Sequence, residues 1–389
     1  MSVDVARARA DTPGTESVAH LNNAGSALPP APVLDAVIEH LRLEAEIGGY
    51  EAAHERADRL EHTYDAIAAL IGCDRDEIAV VENATRAWDM AFYSLGFRPG
   101  DRILTTRAEY ASNYIALRQV ADRAGAALVV VPDDEHGQVD VDRLGTMLDE
   151  RVKLVSLVHV PTQGGLVNPA AAVGALCRAA GVPLLLDACQ SVGQMPIDVG
   201  EIGCDMLSAT GRKFLRGPRG TGFLYVRKEL IAKLEPPFLD MHAAAWQADG
   251  SYRMRDDARR FENWETYVAG KIALGVAADY ALELGLDAIW ERDQALANRL
   301  RTALDDTPGV TVHDQGATRG AIVTFQVAGR RAADVRTALA AERVNVSVTE
   351  AESARLDLDG RGIDELVRAS VHYFNTEQEV DRLVELVAA

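Results

Sequence analysis

The run PLLLDACQSVGQMPIDV (183–199), with LSATGRKFLRGPRGTGFLYV (207–226) close behind it, decides the fold. PLLLDA is apolar until it meets a carboxylate, Asp187. An apolar run that short suits a strand covered on both faces, as in the interior of a parallel sheet. CDMLSA (204–209) and the hairpin-like GPRGTGFLYV (217–226) extend the same sheet. Upstream the texture repeats in EIAVV (77–81), DRILTT (101–106), AALVVVP (126–132) and KLVSLVHV (153–160). Helical stretches such as 112–124 and 169–180 separate most of these runs. Strands alternating with helices read as βαβ units, hence an α/β fold on a mainly parallel sheet whose site residues sit at the carboxyl ends of strands.

Working outward, residues 30–47 and 54–71 carry helical periodicity, with Gly48–Gly49 breaking it between them. The first 15 or so residues read as a loose arm. Beyond about residue 264 come two long helical patterns, 264–284 and 286–305, and then a smaller α+β region. Its strands are AIVTFQV (321–327), VNVSV (344–348) and VRASVHY (367–373), and Thr376 to Glu379 form a capping-box pattern that opens the last helix. The expected organisation is an arm over 1–15, a large domain over 16–265 and a small α+β domain over 266–389, with part of the N-terminal segment packing on the small domain.

The 389 residues suffice for about two domains, and 48% hydrophobic with 25% charged residues is ordinary for a globular chain. The formal net charge of −19 opposes phosphate backbones and anionic bilayers, so neither nucleic acid nor a membrane is an expected partner. Cys73, Cys177, Cys189 and Cys204 form no CxxC pair and have no metal-ligand spacing. The expectation is no metal, reduced thiols and a cytoplasmic location, with no signal-peptide pattern in the opening 20 residues.

Lysine is the informative residue. Only five of the 40 basic residues are lysines, and Lys153, Lys228, Lys233 and Lys271 have the settings of solvated surface charges. Lys213 instead follows a strand and precedes a glycine-rich stretch, where an ε-amine can form an imine. Asp187 at a strand end either faces the crevice or caps the next turn, and spacing does not choose between these. In VENATRAW (81–88) a strand gives way to a helix, a phosphate cradle or simply a helix capped by Asn83 or Thr85. A lysine, an acid for a pyridine nitrogen and a phosphate cradle together suggest pyridoxal phosphate.

With these pieces in place, the chain resembles the class V aminotransferase family of fold-type I pyridoxal phosphate enzymes, which includes cysteine desulfurases and isopenicillin N epimerase. The likeness runs from HLNNAGSALPP (20–30) to VRASVHYFNTEQEVDRL (367–383). It implies that Lys213 holds the cofactor aldehyde and that Asp187 partners the pyridine nitrogen. Ala84, Thr85 and Thr210 would hold the phosphate, with Arg212 beside them. Gln190 and Thr162 would lie near the phenolic oxygen, and Tyr110 over the ring. Arg368 would grip the substrate carboxylate. Asn23, Tyr50 and His54 fall where relatives place substrate-facing residues, some of them contributed by a partner subunit. His159, at a strand end, is a further catalytic candidate or a structural histidine. A homodimer with shared sites is implied.

The departures bear on the reaction. NVSVTEAESARLDLDGRGIDEL (345–366), where desulfurases carry a nucleophilic cysteine, has none. Arg212 stands where they have histidine. FENWET (261–266) departs from their cross-subunit phosphate contact. The resemblance implies chemistry at the α-amino group of an amino acid with negative charge stabilised at Cα. Aminotransferase-like reaction is the first expectation. The alternatives are epimerase, C–S or β-elimination lyase and O2-dependent decarboxylating oxidase or monooxygenase, acting on a specialised amino acid. A non-catalytic binding protein on the same fold is the reading from another class, against which the joint presence of Lys213, Asp187 and Thr85 argues.

Overall fold

The structure is a computed structural model that describes residues 2–389. Seven strands build the main sheet: β1 (Ile78–Val81), β2 (Arg102–Thr106), β3 (Ala127–Val131), β4 (Val152–Val158), β5 (Leu184–Asp187), β6 (Met206–Thr210) and β7 (Gly222–Val226). Their order is β1-β7-β6-β5-β4-β2-β3. All neighbours are parallel except those of β7, which runs against both β1 and β6. The central strands β5, β6 and β7 are buried at every residue, as their unbroken apolar runs require. This is the expected α/β fold of type I, with a small antiparallel sheet after it.

That small sheet contains β8 (Val310–Val312), β9 (Ile322–Val327), β10 (Ser347–Glu350) and β11 (Glu365–Ser370), in the order β8-β9-β11-β10. The expected strand over 344–348 is split. Val344–Asn345 pairs in parallel with Ala19–His20, and only Ser347 onward joins the sheet. Residues 19–24 thus lie along the small sheet, where Leu21 and Ala24 join its apolar cluster, whereas the opening residues, expected as a loose arm, form a helix over Val5–Ala10 whose Ala8 belongs to the large sheet's cluster.

The helices that matter for the site are α1 (Ala31–Ile47), α2 (Gly49–Glu55), α3 (Ala57–Ile71), α4 (Ala84–Phe92), α5 (Ala111–Ala124), α6 (Ala170–Ala180), α7 (Val268–Leu284), α8 (Leu286–Asp305), α9 (Ala332–Ala341) and α10 (Glu377–Ala388). Helix α7 packs on α1 and α3, and its Ala273, Leu274, Ala277 and Ala278 belong to the large sheet's cluster. By packing, therefore, the large unit extends through α7, beyond the boundary at 265 drawn from sequence texture. The apolar cluster changes along α8, from Ile289 in the large one to Leu296, Ala297 and Leu300 in the small one.

Lys271 on α7 also departs from expectation. It is buried, with Nζ donating to the Tyr64 hydroxyl and lying 3.3 Å from Glu262 Oε2. Glu262 further accepts from Tyr64 and from the Val80 N–H, so the charge of Lys271 is paired inside rather than solvated. At the chain's end the capping box forms as written. Thr376 Oγ1 accepts from the Glu379 N–H at 3.2 Å, and Glu379 Oε2 accepts from the Thr376 N–H at 3.1 Å.

Candidate active site

The carboxyl ends of the parallel strands open into a cavity of about 430 Å³. Each wall comes from a different strand end: Asn83, Ala84 and Thr85 after β1, Tyr110 after β2, Val158 and Val160 at β4, Asp187, Cys189 and Gln190 at β5, Arg212 and Lys213 after β6. A sheet whose strands point one way delivers all these loops to one edge. The size suits a small organic ligand.

Asp187 is held from behind. Its Oδ1 accepts from the Cys189 N–H at 3.0 Å and its Oδ2 from the Asn113 side-chain amide at 2.9 Å. It presents a fixed, acceptor-only group to the cavity, which is what a protonated ring nitrogen needs. Lys213 sits across from it. Burial lowers the pKa of its amine, and the neighbouring Arg212 and Arg368 add to that, while Cys189 and Asp187 oppose. The amine is thereby favoured in the neutral form that attacks a carbonyl or takes a proton.

The cradle lies at the start of α4. Asn83 caps the helix, its Oδ1 accepting from the Arg86 N–H at 2.9 Å, and Ala84 and Thr85 occupy the first turn at the cavity wall. A Cβ on Gly222 would stand 2.8 Å from Asn83 C and 3.0 Å from Ala84 N, so glycine there lets β7 pass directly beneath this turn. Arg212 reaches towards it, donating from Nη1 to Thr210 Oγ1 at 3.1 Å. Helix start, the Thr85 hydroxyl and a guanidinium compose an anion site, while the Thr210 hydroxyl is buried off the cavity wall, donating to Thr221 O at 3.3 Å and accepting from Arg212.

On the other flank, Arg368 Nη1 donates to Thr162 Oγ1 at 2.6 Å and to its carbonyl at 3.2 Å, and Nη2 lies 3.4 Å from Asn22 Oδ1. Gln190 Nε2 donates to the same Thr162 hydroxyl at 3.1 Å and to Ala24 O at 3.1 Å. Two polar atoms here, Arg368 Nε and Gln190 Oε1, are buried without a partner. Burial lowers the pKa of Arg368 to about 10, and Arg212 contributes. A guanidinium in that setting gains from an incoming carboxylate. The lysine, the carboxylate, the anion cradle and these unpaired groups fit pyridoxal phosphate and an amino acid.

Four more of the sequence candidates lie off the cavity wall of this chain. His159 does not line the cavity. Val158 and Val160 do, and alternation along the strand turns the residue between them the other way. Its ring is buried, which lowers its pKa to about 4, and Nδ1 has no partner. Asn23 is a tether rather than a substrate contact. Its Nδ2 donates to Ser370 O at 2.8 Å and to His20 O at 3.2 Å, while its neighbour Asn22 meets Arg368. Tyr50, which is 74% exposed, and His54 lie on the exposed surface of α2, a placement open to the partner-subunit contribution that the resemblance implies.

Other residues carry roles that the sequence reading passed over. Glu109 and Asn113 lie behind Asp187, and Cys189 reaches the cavity itself. The spacing Glu109-x-x-x-Asn113 across the opening of α5 was the available signal. His372 supports the lysine loop. Its Nε2 is 2.8 Å from Phe214 O and its Nδ1 is 2.9 Å from Asp293 Oδ2, all buried. A carbonyl only accepts, so Nε2 carries a hydrogen and a second proton is shared with Asp293.

Comparison with known proteins agrees with this geometry. The sequence profile described as Aminotransferase class-V matches residues 19–383. A probable cysteine desulfurase of Halobacterium salinarum is 32% identical, spanning 99% of this chain and 96% of its own. The apo structure of a cysteine desulfurase from Thermococcus onnurineus superposes with a TM-score of 0.92 at 26% identity, covering 100% of this chain and 98% of that one. The cystine C–S lyase C-DES, solved with its product cysteine persulfide, shares the fold with a TM-score of 0.87 at 22% identity, over 97% of this chain and 99% of its own. These names correct the expectation that amino transfer comes first and favour the C–S lyase alternative.

Proposed function

The chain belongs to the class-V aminotransferase family of pyridoxal phosphate-dependent enzymes, and from that premise we propose that it is a C–S lyase. Its substrate is a cysteine-type amino acid bearing sulfur at Cβ, and no protein persulfide forms. The observation that carries this reading is the segment from Ser347 to Gly362. Where desulfurase relatives have a sulfur-accepting cysteine, this chain places β10 and the short helical turns Arg355–Leu358 and Asp359–Arg361, without a thiol. The one thiol at the cavity, Cys189, is half-buried, and desolvation raises its pKa well above the ordinary thiol range. It is a poor nucleophile for accepting sulfur.

Pyridoxal phosphate, when bound, supplies an aldehyde for the substrate amine and a ring that stabilises negative charge at Cα. Thr85, Arg212 and the start of α4 would hold its phosphate, with Thr210 supporting Arg212. Asp187 would hold the ring nitrogen, and Tyr110 would lie against the ring. Arg368 orients the substrate carboxylate, moving from Thr162 to do so. Lys213, as the neutral amine, takes the Cα proton. The electron pair becomes a Cα–Cβ double bond as the Cβ–S bond breaks and sulfur departs as a thiolate. Water then converts the released enamine to a 2-keto acid and ammonia, and no oxidant is consumed.

Product analysis tests this. The protein reconstituted with pyridoxal phosphate and given L-cystine is expected to form pyruvate and ammonia in equal amounts. Alanine as the carbon product contradicts it, because alanine requires a nucleophile to take the sulfur and both Cβ and Cα then to be protonated.

A further inference from the structure

Glu109 is a carboxylate sealed in the large unit beside the active site, and the chemistry above does not use it. Only 3% of it is exposed. It nevertheless has four donors. Oε1 accepts from the Tyr110 N–H at 2.8 Å and from Asn113 Nδ2 at 3.0 Å. Oε2 accepts from Thr105 Oγ1 at 2.7 Å and from Ser156 Oγ at 2.9 Å. Burial pushes its pKa up, and although all four contacts pull it down, the net direction is up. Two of those donors come from β2 and β4, on either side of the carboxylate, so the group is fixed by the sheet itself.

Asn113 gives the arrangement its meaning. A single amide nitrogen, Nδ2, faces two carboxylates: Glu109 Oε1 at 3.0 Å and Asp187 Oδ2 at 2.9 Å. An amide NH2 has two hydrogens and each carboxylate takes one. Glu109 therefore fixes which way the Asn113 amide turns. Were the amide flipped, its oxygen would face two carboxylates. The same Glu109 also holds the backbone of Tyr110, whose ring forms the cavity wall.

We propose that Glu109 and Asn113 are positioning residues that hold Asp187 as an oriented carboxylate and thereby keep the cofactor's ring nitrogen protonated. The proposal rests on the reading that Asp187 meets that nitrogen. Asn113 holds Oδ2 from behind, leaving the cavity side of Asp187 for the ring. Glu109 acts through Asn113, since by taking the amide's other hydrogen it keeps Nδ2 turned towards Asp187.

The test compares the parent protein with the Asn113→Ala, Asn113→Ser and Glu109→Gln variants, each reconstituted with pyridoxal phosphate. Cofactor retention is read by dialysis and the visible band is followed against pH. The parallel measurement uses the cofactor analogue with CH in place of the ring nitrogen. Loss of a hydrogen bond to a charged group predicts retention weakened by about 10–100-fold in Asn113→Ala, with a smaller loss in Asn113→Ser, which keeps a donor. The visible band of each variant shifts its titration, and the nitrogen-free analogue binds parent and variants alike. Variants that melt like the parent, retain pyridoxal phosphate like it and titrate like it overturn the proposal. So do losses of equal size with the analogue, since these residues then act only on folding. A parent protein that binds no pyridoxal phosphate overturns the underlying reading as well, which separates the two failures.

Discussion

A lysine buried among cations behaves differently from one in water. Lys213 is desolvated, and Arg212 and Arg368 further disfavour its charged form. Replacing Arg212 with glutamine removes one of those cations, so the amine should hold its proton to higher pH. In the cofactor-free protein, the pH at which Lys213 becomes reactive to an amine reagent should rise, as followed by peptide mass mapping. Lys213→Arg keeps the charge and loses the nucleophile. Borohydride should then fix no pyridoxyl group, and turnover should fall by roughly 10²–10⁴-fold, the usual worth of a positioned acid–base group. Arg368→Lys keeps the charge but not the fork, and kcat/KM should fall by about tenfold or more for loss of a charge-assisted hydrogen bond. Much of this was legible because lysine is rare here and because Asp187 ends an apolar run. His159 reads either way from sequence because a strand's alternation hides which side the cavity takes. Glu109 was missed because a carboxylate that serves another side chain leaves no mark in composition.

Elements place these residues through backbone contacts that tolerate little change. Gly193 has φ +84°, and a Cβ on it would stand 2.4 Å from Leu215 N, in the lysine loop. Gly193→Ala should therefore displace that loop and weaken cofactor retention, read by dialysis against the parent. The Thr376 cap lies far from the cavity. Thr376→Ala should cost about 0.5–2 kcal/mol in urea denaturation while leaving cofactor binding intact. The strands, the βαβ alternation and this cap could be read directly, since each depends on neighbours in sequence. The placement of α7 could not. Its apolar residues are as ready to face one sheet as another, and only packing on α1 and α3 assigns it. The support that His372 and Asp293 give to Phe214 joins residues far apart in the chain, so no local pattern announces it.

At the scale of the molecule, a group of large apolar side chains lies on the surface. Trp246 is 84% exposed, and Met241, Phe238, Tyr252 and Trp264 are more than half exposed. They lie on and beside the hairpin of Ala244–Trp246 and Tyr252–Met254. Apolar surface of that kind calls for a partner, and we propose a second copy of this chain. Light scattering should give twice the chain mass, and Trp246→Asp should shift the distribution towards monomer. No helix among the described residues is long and apolar enough to cross a membrane. The central claim is that this fold releases sulfur with no thiol of its own. The most direct measurement is turnover of L-cystine by a variant in which Cys73, Cys177, Cys189 and Cys204 are all replaced by alanine or serine, with its folding and cofactor band checked first. Pyruvate release close to the parent's rate is the expected result. A folded, cofactor-loaded variant that no longer turns over, beside a parent whose cysteine carries a persulfide, would contradict it.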